Sequence, residues 1–454
     1  MKREKFVHAV CRLAIPTAMQ SMLQASFGVV DQIMIGQLGS AEVAGVGLAG
    51  KFVSIFSVVV SAVGAAAGIM LSQYLGQRNG REVRRSFRIN LLLAAGIAAL
   101  FTVLCGAFPA AIMRFYTRDE LTLSVSSQYL AIFAATLLPA AGTVMLSTLL
   151  RCLERAYLPL LASIASAVCN TALNYVLIFG RFGFSPLGAA GAAIASVISQ
   201  GIAFLLVLLM FLKYRGSMTD GHAAEEGRQA FRWRQYAAIL LPLLICEFMW
   251  SLGENVYAGI YGRLGTDACA AMTMLNPVQG LVTGALSGLS QAAGVMIAKG
   301  LGRGDYQGTY EAAKKLIRYG LICSLALSLA VVLLRPGYIS LYRVDESVKA
   351  QTRRIMLVYA VAAPFKMLNM IVGGGILRSG GKTGYVMVID LIGTWIFGVP
   401  LGLLAAFVLR LTIPFVYFIL SLEECVRLGI SLAVFRKRRW MCSLQMEGNN
   451  SARE

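Results

Sequence analysis

The chain has 454 residues, 57% of them apolar and only 14% charged, with a mean hydropathy of +0.70. Soluble globular chains are about half apolar and a quarter charged, and here the apolar residues fall in blocks of about twenty or more, the length that crosses a bilayer core; no enzyme-sized aqueous domain fits. The net charge of +19 would suit a nucleic-acid binder, but the basic residues gather at the ends of the apolar blocks, the pattern that orients membrane proteins.

The first apolar block, 13–38, follows Lys2, Arg3, Lys5 and Arg12 and contains Pro16, Gln20 and Gln24. It lacks a short core with a cleavage site, so an uncleaved first span is expected rather than a signal peptide. Further spans are expected at 50–75, 89–108, 129–150, 157–180 and 187–212. A second set follows at 236–262, 277–298, 316–335, 355–376, 384–406 and 411–435. The chain thus divides into an N-terminal lobe of six helices (1–212), a polar cytoplasmic linker (213–235), a C-terminal lobe of six helices (236–435) and a basic cytoplasmic tail (436–454). In the tail, Arg436-Lys437-Arg438-Arg439 reads as an anchor on anionic lipid.

An even number of spans puts both termini on one side. Lys and Arg number 28 on that side and 11 on the other, so the termini and the linker are expected in the cytoplasm of a cell whose inner membrane holds the chain. The halves repeat at an offset of 225 to 227 residues: Pro16 matches Pro242, Gly36-Gln37-Leu38-Gly39 matches Gly262-Arg263-Leu264-Gly265, Pro139 matches Pro364, and Leu150-Arg151 matches Leu377-Arg378. Six helices per copy make both copies enter the membrane from one side. The fold class expected is therefore an all-α polytopic membrane protein, with twelve transmembrane helices in two six-helix bundles related by a pseudo-two-fold along the membrane normal. Secondary transporters use that plan.

Nine cysteines include no C-x-x-C pair, and most lie inside apolar blocks, so no disulfide framework is expected. His8 and His222 stand alone outside the spans, which argues against a histidine metal site. Gly45-Val46-Gly47-Leu48-Ala49-Gly50 spells G-x-G-x-x-G but follows no strand. Gly381-Lys382-Thr383 lacks the leading glycine of a P-loop, since Ile376 stands there, so ATP is not implied and no cofactor is expected.

Acidic residues inside spans cost about 2.5–3.5 kcal/mol each near the bilayer centre and need a reason. Asp31 lies in the outer part of the first helix. Asn170 and Asn174 are four apart, so both amides share a helical face and could face a carboxylate as a cation or proton site, with Ser196 adding a hydroxyl. A helix cap or a lysine pair is the plainer alternative for Asp31. Glu247 lies about 16 Å into the seventh helix at about 1.5 Å per residue. Trp250 is nearby, and Glu254, seven residues on, shares its face. This set could form a substrate cavity with cation–π capacity, or Glu247 could pair with Lys366. For Asp390, cavity lining and helix-pair hydrogen bonding stand side by side. Glu423 and Glu424 precede Arg427 by one turn, which favours a local ion pair.

Asp31-Gln32-Ile33-Met34-Ile35-Gly36-Gln37-Leu38-Gly39 resembles a segment of the multidrug and toxic compound extrusion (MATE) family. So do Gly68-Ile69-Met70-Leu71-Ser72-Gln73-Tyr74-Leu75-Gly76, its counterpart from Gly294 to Gly302, and Leu377-Arg378-Ser379-Gly380-Gly381-Lys382-Thr383. Asn170 and Asn174 before Tyr175-Val176-Leu177-Ile178-Phe179-Gly180, and Gly188 to Ser196, are similar to its fifth- and sixth-helix signatures. The resemblance implies a secondary antiporter that exports amphipathic, often cationic, organic compounds in exchange for protons or sodium ions by alternating access. It implies that Asp31 binds the coupling ion, a sodium ion being one candidate, and that Glu247 is the family's seventh-helix glutamate. Where some members carry a tenth-helix aspartate, this chain has Met367 beside Lys366, with Asn369 close by, so no sodium site is expected in the second lobe. Coupling is then expected to rest on Asp31 and Glu247.

A lipid-linked oligosaccharide flippase of related plan is the rival, but its kind carries a strongly basic cavity, and the intramembrane charges here are mainly acidic. An intramembrane enzyme would need a signature such as H-E-x-x-H, and none occurs. The expected partners are small organic substrates and membrane lipids, not nucleic acid, with the chain acting as a monomer.

Overall fold

The computed structural model describes residues 3–214, 233–340, 342 and 345–444, and these are helical throughout, with no strand among them. Six long helices make up the first half: α1 Arg3–Gly36, α2 Ser40–Gly76, α3 Gly80–Ala107, α4 from Glu120 to Cys152, α5 Tyr157–Phe179 and α6 Gly188–Tyr214. The second half contains α7 Trp233–Arg263, α8 Thr266–Gly302, α9 Tyr306–Ser340, α10 from Glu346 to Gly380, α11 from Thr383 to Val408 and α12 Ile413–Arg436. A short helical turn, Pro109–Arg114, joins α3 to α4. α1 runs unbroken from Arg3.

Ten of these twelve runs are long and apolar enough to cross a membrane. α1 and α12 fall short for a local reason. Gln20 and Gln24 dilute α1, and Glu423, Glu424 and Arg427 stand in every eighteen-residue stretch of α12. The helices outrun the apolar blocks that announce them. α2 and α8 have 37 residues each, about 55 Å at about 1.5 Å per residue, against a bilayer core of about 30 Å. Their polar ends therefore reach past the hydrocarbon.

Local chemistry fixes the helix ends. Asn79 caps α3 by accepting from the Glu82 N–H at 3.1 Å, and Asp119 caps α4 by accepting from the Thr122 N–H at 2.8 Å. Gly180 closes α5 in the left-handed region (φ +66°), where a Cβ would lie 2.6 Å from the Pro186 nitrogen. Pro242 and Pro364 sit inside α7 and α10. α10 passes into a π-helical stretch, Met370–Leu377, just before Arg378, and α11 contains two more, Ile392–Gly398 and Leu404–Val408. Such segments recur at functional sites.

The chain resolves into two compact units. One holds Met19–Leu71 and Arg78–Glu225; the other holds Met1–Ala18, Ser72–Gln77 and Glu226–Glu454. In the second unit one core gathers Phe6, Leu289, Ile297, Ile371, Ile376 and Trp440, and another gathers Met274, Ile355, Tyr359 and Met367. Arg436 to Arg439, read from sequence as a lipid anchor, are exposed, and the chain beyond them folds onto this unit as far as Leu444. Trp440 is fully buried, stacks on Phe435 with ring centroids 5.7 Å apart, and donates its indole N–H to the Phe435 carbonyl at 3.1 Å. Leu444 N–H donates to Gln73 Oε1 at 2.9 Å, and Gln73 Nε2 donates to the Ser379 carbonyl at 2.7 Å.

Candidate functional site

The unit of Met19–Leu71 and Arg78–Glu225 contains a cavity of about 380 Å³ lined from α1, α2, α4, α5 and α6. Asp31 is the one charged side chain among its lining residues. Asn174, one turn beyond Asn170 on α5, donates to Asp31 Oδ1 at 2.8 Å. Turned with its nitrogen towards Asp31, the Asn170 amide donates to Oδ1 at 3.0 Å and Oδ2 at 3.2 Å and accepts from Ser199 Oγ at 3.2 Å. The partners decide that orientation, since the reverse would set an amide oxygen against a carboxylate. Both carboxylate oxygens are thus met by neutral N–H donors and, among the described residues, by no fixed cation. Asn174 Oδ1 is buried and has no partner among the described residues, an acceptor suited to a bound cation or to a proton on a neighbouring group.

Ser196, the hydroxyl expected from sequence, lines the same cavity, and its carbonyl oxygen lies 3.1 Å from Ser199 Oγ. The hydroxyl that reaches the Asn170 amide is Ser199, one turn further along α6. Gln20 and Gln200 were also not assigned from sequence, although both line the cavity; they donate to Ser163 Oγ at 2.9 Å and Thr143 Oγ1 at 3.2 Å. Their three- and four-residue spacing from other cavity residues is the signal that could have found them.

The unit containing Glu226–Glu454 has its own cavity, about 320 Å³, lined from α7, α8, α10 and α12. Glu254 lines it, with Lys366, Glu423, Glu424 and the rings of Tyr257, Tyr261, Tyr359 and Tyr417. Glu247 and Asp390, assigned to a substrate cavity from sequence, lie instead in a chain of ion pairs. Glu247 Oε1 sits 3.2 Å from Arg378, Arg378 lies 3.9 Å from Asp390, and Asp390 Oδ1 lies 2.7 Å from Arg427. Arg427 also approaches Glu424 at 3.5 Å and Glu423 at 3.8 Å. The partner of Glu247 is therefore Arg378 from the last turn of α10, not Lys366. A three-dimensional turn brings it there, which helical spacing could not reveal. Trp250 is 47% exposed and is not among the side chains lining the cavity.

Close packing holds this chain of charges. A Cβ at Gly393 would overlap the Arg427 side chain, and one at Gly398 would overlap the Glu423 carboxylate and the Tyr257 hydroxyl that donates to it. The Cys246 thiol donates to Asp390 Oδ2 at 2.7 Å and accepts from Arg378 at 3.2 Å. Asn369 donates to Glu424 Oε2 at 2.7 Å. These carboxylates are committed to partners in a low-dielectric interior, where breaking a pair is strongly unfavourable. Among the described residues, no group of three or more His, Cys, Asp or Glu forms a metal cluster.

The sequence profile of the family described as MatE matches residues 16–176 and 242–404, one copy in each half of the chain. The chain belongs to the MatE family. It is a multi-pass membrane transporter of the MATE type, as the motif around Asp31 implied. Among its relatives is the "Probable multidrug resistance protein NorM" of Agrobacterium fabrum, 26% identical over 412 residues that cover 87% of this chain and 86% of that protein. A protein of the same description from Thermotoga maritima is 23% identical, covering 90% of this chain and 91% of the relative. The structure titled "Outward-facing conformation of a multidrug resistance MATE family transporter of the MOP superfamily" superposes with a TM-score of 0.86 at 16% identity, covering 95% of each chain. That agreement is one of fold. This MATE chain keeps the twelve-helix plan expected from its repeat.

Proposed function

We propose that this protein is a secondary antiporter that exports amphipathic, often cationic, organic compounds from the cytoplasm across the inner membrane, with both termini on the cytoplasmic side. A monovalent cation, a proton or a sodium ion, drives it by binding at Asp31. The observation that carries the reading is the setting of Asp31: a solitary carboxylate in a cavity, met among the described residues only by the amides of Asn170 and Asn174. Desolvation makes an uncompensated negative charge unfavourable there. A proton, a sodium ion or a cationic substrate relieves that cost, and all three compete for the same charge. The names of the relatives, multidrug resistance proteins, agree with such a cargo.

Competition at one carboxylate makes coupling obligatory. If the ion lowers substrate affinity, the substrate lowers ion affinity by the same factor. Loading from the cytoplasm and ion entry from outside then alternate as the site is exposed to each side in turn. A driving force of about 180 mV supplies about 4 kcal/mol per charge, enough for roughly a thousandfold substrate gradient.

The test is uptake of a cationic dye into everted membrane vesicles, with pH and sodium gradients imposed separately. Uptake driven by one of the two gradients, and collapsed by dissipating it, is expected. Uptake indifferent to both gradients would remove the antiport reading.

A further inference from the structure

We infer that the cavity in the unit of Glu226–Glu454 binds a zwitterionic aromatic compound, its carboxylate held by Lys366 and its amine by Glu254. This inference rests on the antiporter reading, to which it adds a second class of cargo, bound in a cavity other than that of Asp31. A lysine inside a membrane span is costly and marks a function unless something neutralises it. Among the described residues, Lys366 Nζ makes no hydrogen bond or ion pair, and neither does the Glu254 carboxylate, yet both line the same cavity of about 320 Å³.

The other two charges on that cavity are already engaged. Glu423 accepts from the Tyr257 hydroxyl and lies 3.8 Å from Arg427. Glu424 accepts from Asn369 at 2.7 Å and lies 3.5 Å from Arg427.

Among the described residues, one free cation and one free carboxylate on the lining of one cavity set a rule for the occupant. A simple cation would satisfy Glu254 but face Lys366 as a like charge. A simple anion would satisfy Lys366 but face Glu254. Only a molecule carrying both signs pairs with both. The rings of Tyr257, Tyr261, Tyr359 and Tyr417 add flat apolar walls and hydroxyl groups, which suit an aromatic body with polar ends. The volume falls at the small end of ligand cavities, about 300–1,000 Å³. The cavity around Asp31 differs, since one carboxylate is its whole charge and a simple cation completes it.

The experiment measures calorimetric binding to the purified full-length protein. Its probes are para-aminomethylbenzoate, its methyl ester, which keeps the amine and loses the carboxylate, and its N-acetyl derivative, which does the reverse. Wild-type protein is expected to bind the zwitterion about tenfold or more tighter than either analogue, the effect of one charge-assisted hydrogen bond. Lys366→Met should abolish the preference over the ester, and Lys366→Arg should keep it. Glu254→Gln should abolish the preference over the N-acetyl acid and, being exposed, should leave folding intact. Equal wild-type affinities for the three probes, or a Lys366→Met loss equal for zwitterion and ester, would overturn the inference. Ester uptake into everted vesicles separates the two readings. Gradient-driven uptake of the ester without any zwitterion preference leaves the antiporter standing and removes this inference. The binding pattern without gradient-driven uptake does the opposite.

Discussion

The two cavities are similar in size, about 380 and 320 Å³, but they handle charge in opposite ways. Around Asp31 there is one carboxylate and a set of neutral amides and hydroxyls. Beside the other cavity Glu247, Asp390, Glu423 and Glu424 are locked by Arg378 and Arg427. A charge with neutral partners can exchange its counter-ion at little structural cost. A charge held by a buried guanidinium cannot lose its partner without losing several kcal/mol. The contrast teaches that an intramembrane acid is informative only together with what faces it. The proposed function gives ion exchange to the solitary acid, whereas the paired acids are held by guanidinium groups.

The largest effect should follow Asp31→Asn, which keeps shape and hydrogen-bonding reach but removes the charge. Ion-driven export is expected to fall to background while insertion and substrate binding remain measurable. Arg427→Met tests the other side of the contrast. It leaves Asp390, Glu423 and Glu424 without their common partner and should destabilise the fold by about 3–5 kcal/mol, seen as a lower unfolding midpoint of the purified protein. Export of the surviving folded fraction should keep its ion dependence. If Arg427→Met instead spares stability and changes coupling, the division between the two cavities collapses.

Glu247→Gln sharpens the same point. Because Glu247 is bound to Arg378, the loss should fall equally on cationic and neutral substrates; a loss confined to cations would put its charge in the path of the cargo. Asn174→Ala removes one donor from Asp31, and the half-saturating ion concentration should shift about tenfold with the direction of export unchanged. The smallest effect belongs to an acid outside both cavities. Thr122, through its side chain and backbone N–H, holds the exposed Asp119 carboxylate below the usual aspartate value of 3.8. A depressed carboxylate contributes stability above its unfolded value and loses it as pH falls through the folded one. Asp119→Ala should therefore lower the unfolding midpoint slightly at neutral pH, and the difference should vanish in acid.

Much of this was legible in the sequence. Apolar blocks, the Pro16–Pro242 and Arg151–Arg378 correspondences and the basic block ends carried the twelve-helix plan, because a bilayer forces each crossing to be helical and apolar. The Asp31, Asn170 and Asn174 set was readable because two amides four apart must share a face. The pairing of Glu247 with Arg378 was not, since it depends on how the turn after a π-helical stretch re-enters the bundle. Ser199 was passed over for Ser196 because a one-turn choice along α6 depends on helix rotation, which a small-residue run leaves undetermined. The burial of Trp440 was hidden by its basic neighbours, whose charge suggests lipid rather than a packed core. The orientation assigned from the 28-to-11 bias stays open to labelling. A cysteine at Ser185 should react with an impermeant thiol reagent from outside intact cells, and one at Glu225, which lies outside the described residues, should not.

The central claim is that substrate and coupling ion compete for the Asp31 carboxylate, and the most direct measurement counts ions displaced by substrate. Purified protein in weakly buffered solution, with a pH indicator or radioactive sodium present, receives a saturating pulse of a cationic dye. The account predicts release of one proton or one sodium ion per dye bound in the wild type and none in Asp31→Asn, although that variant still binds dye. Release of the same amount from Asp31→Asn, or binding without release in the wild type, would contradict it.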